Sequence, residues 1–375
     1  MYRRLPQLDA VRGIAILLVI FHNTCAKYPG LGLQRVFADG WMGVDLFFVL
    51  SGYLITRQLL EARESAGYFR NFYLRRSLRI WPLYYSVLAF VFVVLPLLQV
   101  PGATAFFEHR SSPWWSYPFF LQDLLVAVPQ LAAGPLGVMW SLAVEEQFYL
   151  VWPWVVRYCS RERLYRVTLA IICLSPAVRW VLSHEWHANI YSNPLCRLDG
   201  LMAGALFALI LQTRFLTPPR FTRHAAVVLA MALILAVFTE GQGGRWLVHS
   251  FVILASVSLV YLALFSTGRL FRFVMTNRFL VYTGTISYAL YLIHKIPFDA
   301  AQALRPFGHS SLVLPIGMAG AYALAALSWK LIEEPCLKLR RTSEPLSGRK
   351  LFLSKEPDRG IADRSTVPFP IQLAR

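Results

Sequence analysis

The stretch Leu8-Asp9-Ala10-Val11-Arg12-Gly13-Ile14-Ala15-Ile16-Leu17-Leu18-Val19-Ile20-Phe21-His22-Asn23 decides the fold class. It is an apolar run close to the length of a membrane span, interrupted only by a few strongly polar residues. Similar runs recur at 10–26 (this one), 43–60, 80–99, 140–156, 167–183, 196–212, 224–239, 247–266, 280–296 and 312–331. Each is long enough to cross a bilayer as a helix, the form that satisfies backbone polar groups within one segment. An eleventh stretch, 113–128, is short and carries Pro113, Pro118 and Asp123, so it reads as re-entrant or interfacial. The fold class is all-α: a polytopic membrane protein of about ten spans.

Composition agrees. Of 375 residues, 57% are hydrophobic and 15% charged, against roughly a quarter charged in soluble domains. The net charge of +17 does not indicate a nucleic-acid partner, because the cations sit in short loops between apolar runs. They also assign sidedness. With Arg3 and Arg4 cytoplasmic, alternate loops carry Arg57, Arg63, Arg70, Arg75, Arg76 and Arg79; Arg157, Arg161, Arg163 and Arg166; Arg214, Arg220 and Arg223; Arg269, Arg272 and Arg278; and Lys338, Arg340 and Arg341. The opposite loops hold only Lys27, Arg35, Arg110, Arg245 and Arg305. Ten spans with both termini cytoplasmic satisfy this pattern, whereas counting 113–128 as a span inverts it. The first span has no small-residue cleavage site and reads as retained. The five cysteines show no metal-binding spacing, so no metal is expected. The membrane domain covers 1–340, and 341–375 reads as a polar, weakly ordered cytoplasmic tail.

Ionisable residues inside spans are costly and mark function or a partner. His22 lies near the outer end of the first span. Asp45 opens the second, Glu145 and Glu146 lie one to two turns into the fourth, Arg179 is near the outer end of the fifth, Arg197 and Asp199 open the sixth, and His294 closes the ninth. Imidazole can take a proton from a hydroxyl attacking a thioester, oriented by a carboxylate such as Asp45, Glu145 or Glu146. On local chemistry alone, a hydrogen-bonded packing role is the commoner reading of such a histidine. On the inner side, Arg76 and Arg79 share a helix face and can hold a phosphate-bearing ligand, or serve as an ordinary positive-inside anchor. Pro82 suits the first turn of the third span. No GxSxG elbow and no cysteine–histidine spacing supports a covalent acyl-enzyme.

Seven segments together resemble the membrane acyltransferase-3 family of bacterial O-acyltransferases. They are Leu8 to Asn23; Gly43-Val-Asp-Leu-Phe-Phe-Val-Leu-Ser-Gly-Tyr-Leu-Ile55; Arg75-Arg-Ser-Leu-Arg-Ile-Trp-Pro82; Trp140-Ser-Leu-Ala-Val-Glu-Glu-Gln-Phe-Tyr149; Arg197-Leu-Asp-Gly200; Ile286-Ser-Tyr-Ala-Leu-Tyr-Leu-Ile-His294; and Glu333-Glu-Pro335. The resemblance implies transfer of an acyl group, commonly acetyl from acetyl-CoA, to a hydroxyl of a carbohydrate or glycolipid acceptor in the bacterial cytoplasmic membrane; some members acylate macrolides. It implies His22 as base, matches Arg12 to the family's first-span arginine, and links Arg76 and Arg79 to the acyl-donor side; Asp45 and Glu145 stand as catalytic candidates on position, and Arg12, Arg76 and Arg79 as expected acyl-CoA contacts. No permanently bound cofactor is expected. Some members carry a C-terminal SGNH esterase-like domain, which is not expected within these 375 residues. One departure stands out. Nine residues separate Arg12 from His22 where the family has ten, and Asn23 takes the family's histidine position. Either a helix irregularity restores the alignment, or the two side chains do not share a face. A glycan or lipid transporter would share the spans and buried charges, but no internal repeat supports one.

Overall fold

The computed structural model describes residues 5–25, 38–98, 113–126, 135–185, 189–213, 221–301 and 312–342. The tail from 343 onward lies outside the described residues, as do Arg3, Arg4, Lys27, Arg35, Arg110, Arg214, Arg220 and Arg305 of the charge pattern. All regular structure among the described residues is helical. The principal helices are α1 (Pro6–Cys25), α2 (Met42–Glu61), α3 (Tyr68–Ala89), α4 (Trp140–Tyr158), α5 (Arg161–His184), α6 (Leu198–Gln212), α7 (Thr222–Gly241), α8 (Arg245–Phe265), α9 (Arg278–Thr285), α10 (Ser287–Ile293), α11 (Lys295–Ala301) and α12 (Val313–Ser328). Turns of π-helix, at Phe90–Val94 and Trp329–Glu333, carry α3 and α12 onward without a break.

Within the described residues, each expected apolar run is mainly helical. Among the described residues, six helical stretches are long and apolar enough to cross a membrane: Ala38–Glu61, Tyr68–Leu97, Arg161–His184, Thr222–Gly241, Arg245–Phe265 and Val313–Leu339. The other four runs are the polar or irregular ones. α1 carries Asp9, Arg12 and His22, and α4 carries Glu145 and Glu146. α6 has only 15 residues, and the ninth run is broken into α9, α10 and α11. The segment 113–126 forms no span: a turn at Trp114–Ser116 and a short helix at Gln122–Val126 dock on α3 and α4. Tyr84 donates to the Tyr117 carbonyl at 2.8 Å, and Gln147 to the Phe120 carbonyl at 2.9 Å.

One boundary differs from expectation. Pro82 does not open the third span but lies well inside α3, which begins at Tyr68. The arginine-rich stretch is itself helical, so Arg75, Arg76 and Arg79 ride on the same rod as the apolar run that follows.

α1 is central, packed against α2, α8, α9, α10 and α11. α2 in turn packs against α4, α6 and α8. Bilayer helices gain little hydrophobic drive from meeting one another, so close backbone approach supplies the attraction. A Cβ on Gly52 would run into the Leu201 backbone, and one on Gly204 into the Val49 carbonyl, which sets α2 tightly on α6. Gly52→Val and Gly204→Val are therefore expected to destabilise the detergent-solubilised protein by about 1–3 kcal/mol through overpacking. Gly241→Val, where an added Cβ meets nothing, should leave thermal stability unchanged. Melting curves of the three variants check this.

Candidate active site

The helix packing closes a charged network inside the bundle. Arg197, at the start of α6, pairs with Asp45 of α2 at 2.8 Å. His249 of α8 hydrogen-bonds Arg197 and lies 3.4 Å from the second Asp45 oxygen. Arg179 of α5 pairs with Asp199 of α6 at 2.6 Å and also donates to the Cys196 and Trp246 carbonyls and the Ser250 hydroxyl. The Arg197 guanidinium is enclosed by the rings of Phe48, Trp140 and Tyr191, 5.3–5.7 Å away. Rings and carboxylate together replace the hydration a buried guanidinium loses.

Trp140 and Tyr191 face two ways. They also wall a cavity of about 130 Å³, lined as well by Trp41, Tyr291, Asn189, Ser192 and Lys295. His22 and Asn23 enter it from α1. Gly40 makes room for this, because a Cβ there would meet the His22 Cβ. Asn23 donates to the Val19 carbonyl at 3.0 Å, whereas the buried Nδ1 of His22 has no hydrogen-bond partner. A cavity of this size holds a small organic group.

A second polar site lies toward the other end of α1. Arg12 pairs with Asp9 at 3.0 Å and stands within electrostatic range of Arg79 and Tyr149. Arg76 donates to the Gln58 amide oxygen at 3.2 Å and lies over the Tyr149 and Phe72 rings at 5.5 and 5.9 Å. The Arg76 Nε is buried without a hydrogen-bond partner, so an entering oxyanion would supply an acceptor the protein does not. Tyr149 donates to Glu145 at 2.9 Å, and its hydroxyl also meets Ser51. Glu333, on the π-helical turn, lies within electrostatic range of Arg79.

The expected site residues thus divide into two groups and a support. His22 lies in the cavity. Arg12, Arg76, Arg79 and Glu145 gather at the arginine site. Asp45 is held by Arg197 and His249, so neither it nor Glu145 is the bonded partner of His22. α1 runs through both sites as uninterrupted α-helix. No irregularity restores a common face: ten residues advance roughly 15 Å and leave Arg12 and His22 about 80° apart. Glu146, expected beside Glu145, accepts instead from the Trp81 indole at 3.2 Å. His294 bonds back to the Leu290 and Tyr291 carbonyls.

A family model described as an acyltransferase domain matches residues 5–330. The chain belongs to the acyltransferase-3 family. Among its relatives, YrhL of Bacillus subtilis (strain 168), provisionally named a peptidoglycan O-acetyltransferase, is 30% identical over 361 residues, covering 89% of this chain and 55% of that protein. O-acetyltransferase OatA of Staphylococcus aureus (strain NCTC 8325 / PS 47) is 27% identical over 362 residues, covering 90% of this chain and 58% of OatA. The chain thus spans little more than half the length of these relatives. No solved structure matches it.

Several residues of the cavity and the charged network escape a sequence reading. His249 carried a usable signal, since it too is a histidine inside an apolar run. Trp41 and Tyr191 come from connecting segments with no periodicity to mark them. The buried network is testable. Asp45→Asn should cost about 3–5 kcal/mol, because it leaves the Arg197 charge uncompensated. The double variant Asp45→Leu/Arg197→Met should be more stable than Asp45→Asn alone. Thermal unfolding in detergent measures both.

Proposed function

We propose that this chain is an O-acyltransferase that moves an acyl group, acetyl in the first instance, from acyl-CoA to a hydroxyl of a glycan. Relatives named as O-acetyltransferases, one of them for peptidoglycan, support a peptidoglycan-type acceptor. The single observation that carries the reading is α1, one unbroken helix with Arg12 at an arginine site and His22 in a cavity. Ten membrane spans with both termini cytoplasmic, in the bacterial cytoplasmic membrane, orient it. The arginine site then faces the cytosol, where acyl-CoA is made, and the cavity faces outward, where the glycan lies.

In this mechanism Arg76 and Arg79, with Arg12 behind them, bind the CoA phosphates through charge-assisted hydrogen bonds. The acyl thioester reaches the cavity through the bundle. The acceptor sugar enters against Trp41, Trp140 and Tyr191, whose rings suit the apolar face of a pyranose. The imidazole of His22 takes the hydroxyl proton as the oxygen attacks the thioester carbonyl. The tetrahedral intermediate collapses, the C–S bond breaks, and the imidazolium returns its proton to the departing thiolate. Asn23, lacking a basic nitrogen, cannot replace His22 in this step. Asp45 contributes by holding the cavity wall through Arg197, not by orienting the base.

His22→Ala should lower acetyl transfer from acetyl-CoA by about 10²- to 10⁴-fold, the usual contribution of a general base. Arg76→Ala should raise the apparent KM for acetyl-CoA roughly 10- to 100-fold, the loss of a charged hydrogen bond to phosphate. Radiolabelled acetyl transfer in membranes measures both. Wild-type activity in His22→Ala contradicts the assignment of the base.

A further inference from the structure

The cavity beside His22 is lined by two asparagines from distant parts of the chain, Asn23 and Asn189. Each has one end of its amide already committed. On α1, Asn23 turns its NH2 back to the Val19 carbonyl at 3.0 Å. A carbonyl only accepts, so this bond fixes which end of the amide is nitrogen. The Asn23 oxygen accepts from no group among the described residues. In the segment before α6, Asn189 does the reverse. Its oxygen accepts from the Tyr191 backbone N–H at 3.0 Å, and its NH2 donates to no group among the described residues. Both side chains are half-buried. One element therefore offers the cavity an amide oxygen, and another offers it an amide NH2. Val19, Val44, Val138 and the indoles of Trp41 and Trp140 supply apolar wall to the same space.

We propose that this cavity reads the acetamido group of an N-acetylated amino-sugar acceptor, whose N–H donates to the Asn23 oxygen and whose C=O accepts from the Asn189 NH2. The proposal rests on the glycan O-acyltransferase reading above and names the class of sugar. A trans secondary amide is planar and points its N–H and C=O in nearly opposite directions. Its two partners must come from separate elements, as α1 and the Asn189 segment are. An amide that leaves water needs both ends satisfied. A hydroxyl could also give and take one hydrogen bond here, but it brings no methyl. The acetamido methyl would cover valine and indole surface, and removing that surface from water favours binding. A cavity of about 130 Å³ has room for the group. The committed amides also confer rejection, because a sugar without the acetamido group leaves both asparagines unpaired beneath it. His22 lines the same cavity, so a sugar held in this way presents a hydroxyl to the base.

An acceptor pair tests the site. Chitotetraose and cellotetraose share one backbone linkage and differ only at the second ring carbon, acetamido in the first and hydroxyl in the second. The full chain in detergent should transfer acetyl from acetyl-CoA to chitotetraose with a kcat/KM about 10- to 100-fold above that for cellotetraose, the worth of two hydrogen bonds. Asn189→Asp keeps an oxygen for the Tyr191 N–H and removes the NH2. Asn23→Ser keeps a donor for the Val19 carbonyl, as the neighbouring Thr24 hydroxyl donates to the Ile20 carbonyl at 2.7 Å, and removes the amide oxygen. Each should cut the ratio about 3- to 10-fold. The ratio does not depend on how much of a variant folds. An undiminished ratio in either variant overturns the asparagine pair. A wild type that treats the two acceptors alike overturns the acetamido site and leaves the acyltransferase reading standing. Calorimetric titration of both oligosaccharides separates the remaining cases. Chitotetraose binding that weakens in both variants, without acetyl transfer to any acceptor, supports the site and overturns the acyltransferase reading. Neither binding nor transfer in the wild type overturns both.

Discussion

A guanidinium enclosed by helices must be neutralised where it sits, and the Arg197–Asp45 pair is where this constraint shapes the molecule most. The pair joins α2 to α6, and His249 brings in α8. A parallel pair, Arg179–Asp199, ties α5 to the same end of α6. Neither pair is a strong source of net stability, because desolvation offsets most of the attraction. Their effect is positional. The rings of Trp140 and Tyr191 are drawn over Arg197, and those rings form the wall that His22 faces. The charged network therefore shapes a cavity without entering it.

The second organising element is α1. Because it is continuous, it acts as a rigid spacer between an anion-friendly end and an imidazole-bearing end. A conventional site would bring base, donor and acceptor to one pocket. Here His22 and Arg12 stand ten residues apart on one helix, roughly 15 Å, a separation that suits the proposed donor from one side of a bilayer and acceptor from the other.

The sequence made the helices legible because their apolar runs are long and repeated. It also showed which residues are costly in a membrane. It did not show how they pair. Asp45 and His22 share an expected depth, yet Asp45 meets Arg197, because Gly52 and Gly204 set α2 hard against α6. That choice lies in helix packing, which no single segment reveals. Arg12, Arg76 and Arg79 do come together as their grouping suggested, since the arginine-rich stretch is helical from Tyr68 onward. Pro82 was misleading as a helix start, because a proline can also sit inside a membrane helix whose neighbours compensate for it. Trp41 and Tyr191 were invisible, since nothing in a connecting segment announces which cavity it will close.

The most direct test of the account is an experimental structure of the full chain with a non-transferable acetyl-CoA thioether. The expected result is phosphates at Arg76 and Arg79 and the carbonyl carbon close enough to His22 for a hydroxyl to lie between them, roughly 3–3.5 Å from the attacking oxygen. A thioether bound with its acetyl end away from the His22 cavity, or phosphates held anywhere but at those arginines, would contradict it.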